Sequence, residues 1–186
     1  TELGPLLDRA FGGLPERTEL PSIPDVEPNL AGHTYVVALD VPQSAIRFGQ
    51  AGLKRDHPDW YTSVVMNYVL GGGGFTSRLF AEVREKRGLA YSVGAGLSPM
   101  RYTSLITGHA GTNNENVADS LKIIRTEWRR MRESGITITE LAQAKSYLTG
   151  SFPVRLSSTD RIARMLVAIQ YNNLGIDYID KRASYI

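Results

Sequence analysis

LGGGGFTSRLFAEVREKRGLAYSVGAG, residues 70–96, is the stretch that decides the fold of this chain. Its pattern predicts the end of a helix, a glycine-rich connection, a short charged helix and then a strand of small residues. Gly88 should end the short helix, because glycine adopts the left-handed backbone conformation that other residues resist. Arg84 then lies in the last helical turn and Tyr91 opens the strand, and we expect both side chains to face one cleft.

Alternating and helical patterns extend outward from this stretch on both sides. Short turns join neighbouring strands, which favours antiparallel pairing over a parallel sheet. We therefore predict an α+β fold: a largely antiparallel sheet with helices packed on one face. The predicted strands are 33–41, 43–50, 90–97 and 102–110, and the predicted helices are 2–11, 58–70, 76–87, 114–133, 137–150 and 158–171. Asp56 or His57 is expected to cap the helix that starts at Pro58, and Thr137 with Glu140 has the spacing of a capping box.

The ends of the chain differ in character from its middle. Prolines recur at positions 15, 21, 24 and 28. Such a segment is typical of a linker, so we predict that residues 1–24 hold the tail of a preceding half and a linker. Residues 25–186 are predicted to form one domain. Because the last residues stop in a helical pattern without a capping signal, we expect that domain to be truncated at its C-terminal end.

Composition excludes several kinds of function. Hydrophobic residues make up 42% and charged residues 22% of the chain, as in ordinary soluble domains. The formal net charge of +2 gives no reason to expect a nucleic-acid or membrane partner. There is no cysteine, which rules out disulfides, a thiol nucleophile and cysteine metal sites.

Two features invite a ligand-binding interpretation. The glycine run 71–74 resembles a phosphate-binding loop, but Phe75 occupies the position where such a loop needs a lysine. We therefore interpret the run as the end of a helix followed by a flexible connection. Such a run also lets a peptide approach the backbone closely. The three histidines lack the spacing that places two metal ligands on one helix face, so we expect no metal to be bound by this chain.

The basic clusters are interpreted as solvated helix faces. Arg78 and the run 84–87 contain many cations, but Glu82 and Lys86 stand four residues apart, as in an exposed intrahelical ion pair. The arginines of residues 125–132 are likewise accompanied by glutamates. Neither cluster is interleaved with the aromatic residues that single-stranded nucleic acids require.

The block FTSRLFAEVREKRGLAYSVGAG, residues 75–96, follows a glycine-ended amphipathic helix and resembles the C-terminal half of M16 zinc metallopeptidases. This is the family of pitrilysin, insulin-degrading enzyme and mitochondrial processing peptidase. The likeness extends to VPQSAIRFGQAGLKRDHPDWY, residues 41–61, and ITITELAQAKSYLTGSF, residues 136–152. It covers nearly the whole chain from Pro24 onward and is strongest with the shorter-chained bacterial branch.

The resemblance implies a division of labour between two halves that clasp a peptide. One half carries His-x-x-Glu-His and the zinc, and the other supplies an Arg and a Tyr that match Arg84 and Tyr91. Tyr91 would donate a hydrogen bond to the scissile carbonyl as it becomes an oxyanion, and Arg84 would bind a substrate carbonyl or orient the tyrosine. The implied substrate-binding residues are Gly71, Gly72, Gly73, Gly74, Ser92 and Val93.

His-x-x-Glu-His is absent from this chain, so zinc and the general base must come from a partner half. That half is either part of the same polypeptide or a separate subunit, and the chain alone is expected to be inactive. The alternative within the same family is a non-catalytic structural or interaction subunit. The resemblance implies a bacterial cytoplasmic or periplasmic setting, and the sequence leaves the compartment open.

Overall fold

The structure is a computed structural model that describes residues 2–19 and 21–186; Thr1 and Leu20, within the predicted segment 1–24, lie outside the described residues. The strands are β1 (Gln43–Ala51), β2 (Ala90–Pro99) and β3 (Ser104–Asn113). The α-helices are α1 (Leu3–Phe11), α2 (Trp60–Asn67), α3 (Val117–Ser134), α4 (Ile138–Gly150), α5 (Thr159–Tyr171) and α6 (Tyr178–Lys181). Two π-helical turns, Tyr68–Gly72 and Phe80–Glu85, connect α2 to β2.

The sheet has three strands in the order β1-β3-β2, and both pairings are antiparallel. The predicted α+β class and antiparallel pairing are therefore confirmed. The turn between β2 and β3 lies further along the chain than predicted, where the Met100 amide donates to the Thr103 carbonyl at 3.0 Å.

The two faces of the sheet have different surroundings. Along β3, buried side chains at 106, 110 and 112 alternate with more accessible ones at 105, 107 and 109. This period of two places successive side chains on opposite faces. One face packs against the helices, as predicted. We call the other the open face; it carries Ala45, Arg47, Ser92, Gly94, His109, Gly111 and Asn113.

The main core lies between the sheet and the helical layer. Leu79 and Val83 are completely buried there, and Leu70 nearly so. Burying an aliphatic side chain of this size contributes roughly 1.5–3 kcal/mol. They pack against a set of residues from the sheet and α3, namely Ala90, Val93, Ala95, Ala110 and Ile124. A second cluster joins α2 to α4 and the C-terminal residue through Val65, Val69, Ala144, Leu148 and Ile186.

The predicted strand 33–41 is wrong, because these residues form no regular structure. Tyr35, Val36 and Val37 are 85%, 87% and 78% exposed, so neither side of the segment is covered. A β-rich sequence forms a strand only when another strand hydrogen-bonds to it, and none lies beside this segment among the described residues.

The start of α2 also differs from its prediction. The helix begins at Trp60 rather than at Pro58, and its N-cap residue Asp59 makes no side-chain capping bond. His57 instead accepts a hydrogen bond from the Asp59 amide through Nδ1, at 3.0 Å. The preceding turn is therefore braced by the imidazole, and neither Asp56 nor His57 caps the helix.

Arg78 is a core residue and not part of a solvated helix face. Its side chain is 7% exposed, and it forms a bidentate ion pair with Glu140 at 2.6 and 2.7 Å. Glu140 also completes the predicted capping box of α4, accepting from the Thr137 amide at 2.7 Å. One carboxylate therefore fixes both the start of α4 and the segment that follows the glycine run.

This ion pair makes the fold sensitive to acid. The guanidinium of Arg78 lowers the pKa of Glu140 from 4.5 to about 2. Because the folded pKa lies below the unfolded one, the stabilisation is fully present above about pH 4.5 and is lost as the pH falls toward 2.

Glu140→Gln should lower the free energy of unfolding near pH 7 by about 3 kcal/mol, because it leaves a buried guanidinium without its counter-charge. It should also flatten the loss of stability between neutral and acidic pH. Urea unfolding at a series of pH values measures both effects. Glu133→Gln is the matched control, since Glu133 pairs with an exposed arginine and should contribute less than about 1 kcal/mol. Equal effects of the two substitutions would contradict this account.

Candidate functional site

Tyr91 lies in an irregularity of the sheet. Ala90 is paired with Thr112, but Ser92 is paired with Gly111, so the register shifts by one residue between them. Tyr91 is therefore the extra residue of a β-bulge and has no partner on β3. Bulges of this kind bend the strand and redirect a side chain, and they occur frequently beside active sites.

The hydroxyl of Tyr91 is held by the end of the neighbouring strand. It donates to Oδ1 of Asn113, the last residue of β3, at 2.6 Å. The tyrosine side chain remains 54% exposed. The sheet thus presents a phenol that is accessible and anchored at its polar end.

Asn113 is a site residue that no sequence pattern indicates. Its position relative to Tyr91 depends on the β2–β3 register and on the bulge. Neither feature can be predicted from the amino-acid sequences of the two strands. Asn113 is cross-strand to Gln43 on β1, so it belongs to the central strand at the rim of the open face.

Arg84 is exposed and lies over an aromatic ring. Its guanidinium carbon is 4.9 Å from the centroid of Phe80, and Phe80 meets Phe75 edge-to-face with centroids 4.8 Å apart. Phe75 itself is 75% exposed and follows directly on the glycine run. We call these three residues the Phe75–Phe80–Arg84 stack. It presents apolar area and a cation side by side on the surface.

The connection between Arg84 and Tyr91 is short and well braced. The Gly88 amide donates to the Arg84 carbonyl at 2.8 Å, and the Leu89 amide donates to the Val83 carbonyl at 2.9 Å. Gly88 has a φ of +61°, so it ends the helical turn in the left-handed conformation that was predicted. Both candidate residues are exposed at the two ends of this connection.

The glycine run has two parts with different roles. Gly71 and Gly72 belong to the π-helical turn that continues α2, and Gly71 is buried. A Cβ on Gly71 would lie 2.5 Å from the backbone nitrogen of Ala95, so glycine is required for this approach to β2. Gly73 is half-buried, whereas Gly74 is exposed with a φ of +57°.

The two strand residues named as substrate contacts lie on opposite faces. Ser92 is exposed on the open face, where it neighbours Gly111. The side chain of Val93 is buried in the main core. Of the predicted contact residues, Gly72, Gly74 and Ser92 offer accessible surface, whereas Gly71 and the Val93 side chain support the fold beneath it.

The three histidines lie far apart along the described part of the chain. His33 precedes β1, His57 precedes α2 and His109 lies within β3. Across the described ranges, no three histidine, aspartate or glutamate side chains converge on a common point. No catalytic step is therefore assigned to a metal held by this chain. Among residues 2–19 and 21–186, no helix has the length and apolarity needed to cross a membrane.

Gly71→Ala should destabilise the chain by about 2–3 kcal/mol, because the added methyl group overlaps the Ala95 backbone and forces the helix end away from β2. The free energy of unfolding in urea measures the loss. Gly96→Ala on β2 is the matched control, since no heavy atom lies within 4 Å of its added Cβ. If Gly71→Ala were as stable as the control, the close contact would not constrain the fold.

The sequence and the fold of this chain are similar to those of known proteins. The family model described as the peptidase M16 inactive domain matches residues 1–148. An uncharacterized zinc protease of Streptomyces coelicolor is 39% identical over 129 residues, covering 69% of this chain and 28% of the relative. The non-peptidase homolog YmxG of Helicobacter pylori is 32% identical over 142 residues, covering 76% of this chain and 32% of that protein.

The solved structures agree with the sequence comparisons. The crystal structure of a peptidase M16 inactive domain from Pseudomonas fluorescens matches with a TM-score of 0.72 at 32% identity, covering 80% of this chain and 35% of that one. The chain spans about three tenths of the length of the relatives it matches. The family model covers most of the chain, and the relatives agree in sequence and fold, so this chain belongs to the peptidase M16 family and corresponds to its inactive domain.

Proposed function

We propose that this chain is the non-zinc half of a zinc-dependent endopeptidase. It binds the peptide substrate and stabilises the transition state through Tyr91 and Arg84, while a companion half supplies the zinc and the general base. The observation that carries the proposal is the exposed phenol of Tyr91, set in a β-bulge and anchored by Asn113.

The phenol has the properties of an oxyanion donor. A group of this kind must be fixed before the reaction, so that no energy is spent on orienting it when charge develops on the substrate carbonyl. The bulge and the contact with Asn113 fix the position of the Tyr91 oxygen, and the direction in which its O–H points is set by Asn113. One such donor is worth roughly 3 kcal/mol, or a factor of about 10² to 10³ in turnover.

Asn113 acts as a positioning residue in this proposal. A phenol has one proton, and here that proton is donated to Oδ1 of Asn113. Rotation of the amide by half a turn would place its NH₂ group against the phenol oxygen. The amide then donates to Tyr91, and the phenolic O–H is free to donate a hydrogen bond to the substrate carbonyl.

Arg84 and the Phe75–Phe80–Arg84 stack supply binding. The guanidinium rests on a ring, and its N–H groups are exposed to donate to a peptide carbonyl. The neighbouring phenylalanine rings offer apolar area for a substrate side chain. Gly74, directly before Phe75, and Ser92, directly after Tyr91, are also exposed. A peptide lying between the stack and Tyr91 would therefore meet donors and apolar surface together.

A second candidate function is that of a non-catalytic interaction subunit. The relative from Helicobacter pylori is named a non-peptidase homolog, and it matches 76% of this chain. Hydrolysis of a peptide by the complete protein, abolished by a zinc chelator and restored by zinc, would exclude this candidate. Absence of any chelator-sensitive hydrolysis would favour it.

Tyr91→Phe in the complete protein should lower kcat by about 100-fold with little change in KM, because the lost hydrogen bond forms mainly in the transition state. Steady-state kinetics on a fluorogenic peptide measures both constants, and a thermal melt checks the fold. Tyr171→Phe on α5 is the matched control, since this tyrosine is exposed on a helix outside the site. Undiminished turnover by Tyr91→Phe would contradict the proposal.

Asn113→Asp in the complete protein should add a pH dependence of kcat that the native protein lacks. The introduced carboxylate accepts the phenolic proton but cannot donate in return, so the phenol is withheld from the substrate. The ratio of variant to native kcat should therefore rise as the pH falls and the carboxylate is protonated. Asn114→Asp adds the same charge one residue away and is the control. A ratio that is constant with pH would remove Asn113 from the mechanism.

A further inference from the structure

The open face of the sheet carries a pair of basic side chains that the proposed function leaves unused. Within β1, β2 and β3 the only residues of the Asp, Glu, Lys, Arg and His types are Arg47 and His109. They are direct cross-strand partners in the β1–β3 register. Residues paired in this way bring their side chains within reach of one another.

The two side chains are placed so that one ligand can contact both. His109 lies across its other neighbour, with Cε1 3.1 Å from the point that a Cβ on Gly94 would occupy. Glycine at that position gives room for the imidazole and for the Gly71 carbonyl, which lies 3.2 Å from the same point. Arg47 is exposed, and one of its N–H groups donates to the Ile46 carbonyl at 3.2 Å, which leaves further donors of the guanidinium available.

These groups lack the acidic neighbours that accompany the other basic clusters. Lys86 and Arg87 are paired with Glu82, and Arg130 is paired with Glu127. Among the described residues, by contrast, neither Arg47 nor His109 forms an ion pair. Gly94 is buried beneath the imidazole, but the other residues beside the pair on the open face, Ala45, Ser92 and Gly111, are small and at least partly accessible, so an extended chain can reach both groups.

We propose that Arg47 and His109 bind a carboxylate of the peptide substrate. This inference rests on the proposed function, because it places the substrate along the open face with its scissile carbonyl at Tyr91. A guanidinium with a neighbouring imidazole N–H matches the two oxygens of a carboxylate, which arginine binds with paired hydrogen bonds.

The register sets the spacing between the two sites. His109 and Asn113, which anchors Tyr91, are four residues apart on β3. Four extended residues span roughly 13 Å, both on the strand and on a peptide that lies along it. The carboxylate therefore belongs to a residue about four positions from the scissile bond. Its source is either the side chain of an internal Asp or Glu or the C-terminal carboxylate of a short peptide.

The test is a scan of acidic positions with the complete protein. Quenched fluorescent peptides of one sequence carry a single Glu, moved through each position from the scissile bond, and each has a Gln counterpart. We expect kcat/KM to be about tenfold higher for Glu than for Gln at a position about four residues away. A pair of peptides ending there in a free acid or an amide tests the C-terminal source in the same way.

Charge reversal assigns the effect to Arg47. Arg47→Gln should abolish the difference between the Glu and Gln peptides, and Arg47→Glu should transfer the preference to a Lys peptide. His109→Gln should reduce the difference in part. Arg129→Gln, which removes an exposed arginine of α3, is the matched control and should retain the full Glu preference.

Binding to the complete protein after removal of zinc by a chelator separates this inference from the proposed catalytic role. Fluorescence anisotropy with the same peptides should show the Glu preference and its dependence on Arg47, whatever Tyr91→Phe does to turnover. If Tyr91→Phe proves harmless while this preference persists, the carboxylate site stands and the oxyanion role falls. The inference is overturned if no position shows a preference above twofold, or if the preference survives Arg47→Glu.

Discussion

The close approach of Gly71 to the backbone of Ala95 is the constraint on which the rest of the domain depends. A helix can come this near to a strand only where it has no side chain, and a Cβ at position 71 would overlap the Ala95 nitrogen. The contact seats the end of α2 against β2, so that Leu70, Leu79 and Val83 reach the main core. Gly71 is thus a packing residue, whereas Gly72 and Gly74 are exposed and remain accessible to a ligand.

The candidate site combines rigid supports with exposed groups. Tyr91 departs from the sheet at a bulge, but both flanking residues remain paired with β3, so the phenol is presented by a fixed backbone. Arg84 stands at the other end of a segment braced by two backbone hydrogen bonds and rests on Phe80. The Arg78–Glu140 pair fixes the segment before this one to the start of α4. Catalysis by preorganised donors needs this combination, because a mobile donor must be ordered in the transition state.

The sequence correctly predicted those elements that are determined by residues close together in the chain. The capping box at Thr137, the stop at Gly88 and the antiparallel strands all follow from short-range rules. The strand at 33–41 could not be judged in this way, because a strand exists only with a partner. Arg78 was misplaced because its counter-charge, Glu140, is 62 residues away along the chain. The Tyr91–Asn113 bond depends on a register shift, and such a shift has no signature in the residues of β2 or β3 alone.

The central claim is that this chain contributes the phenol of Tyr91 to a reaction whose zinc is bound by the companion half. The most direct test is a crystal structure of the complete protein with a phosphinic peptide, whose tetrahedral P–O⁻ group mimics the oxyanion. The account predicts the Tyr91 hydroxyl at about 2.7–3.1 Å from that oxygen, with the Asn113 amide still in contact with the phenol. The account would be contradicted if the Tyr91 hydroxyl still donated its hydrogen bond to Asn113 while other groups bound the phosphinyl oxygen.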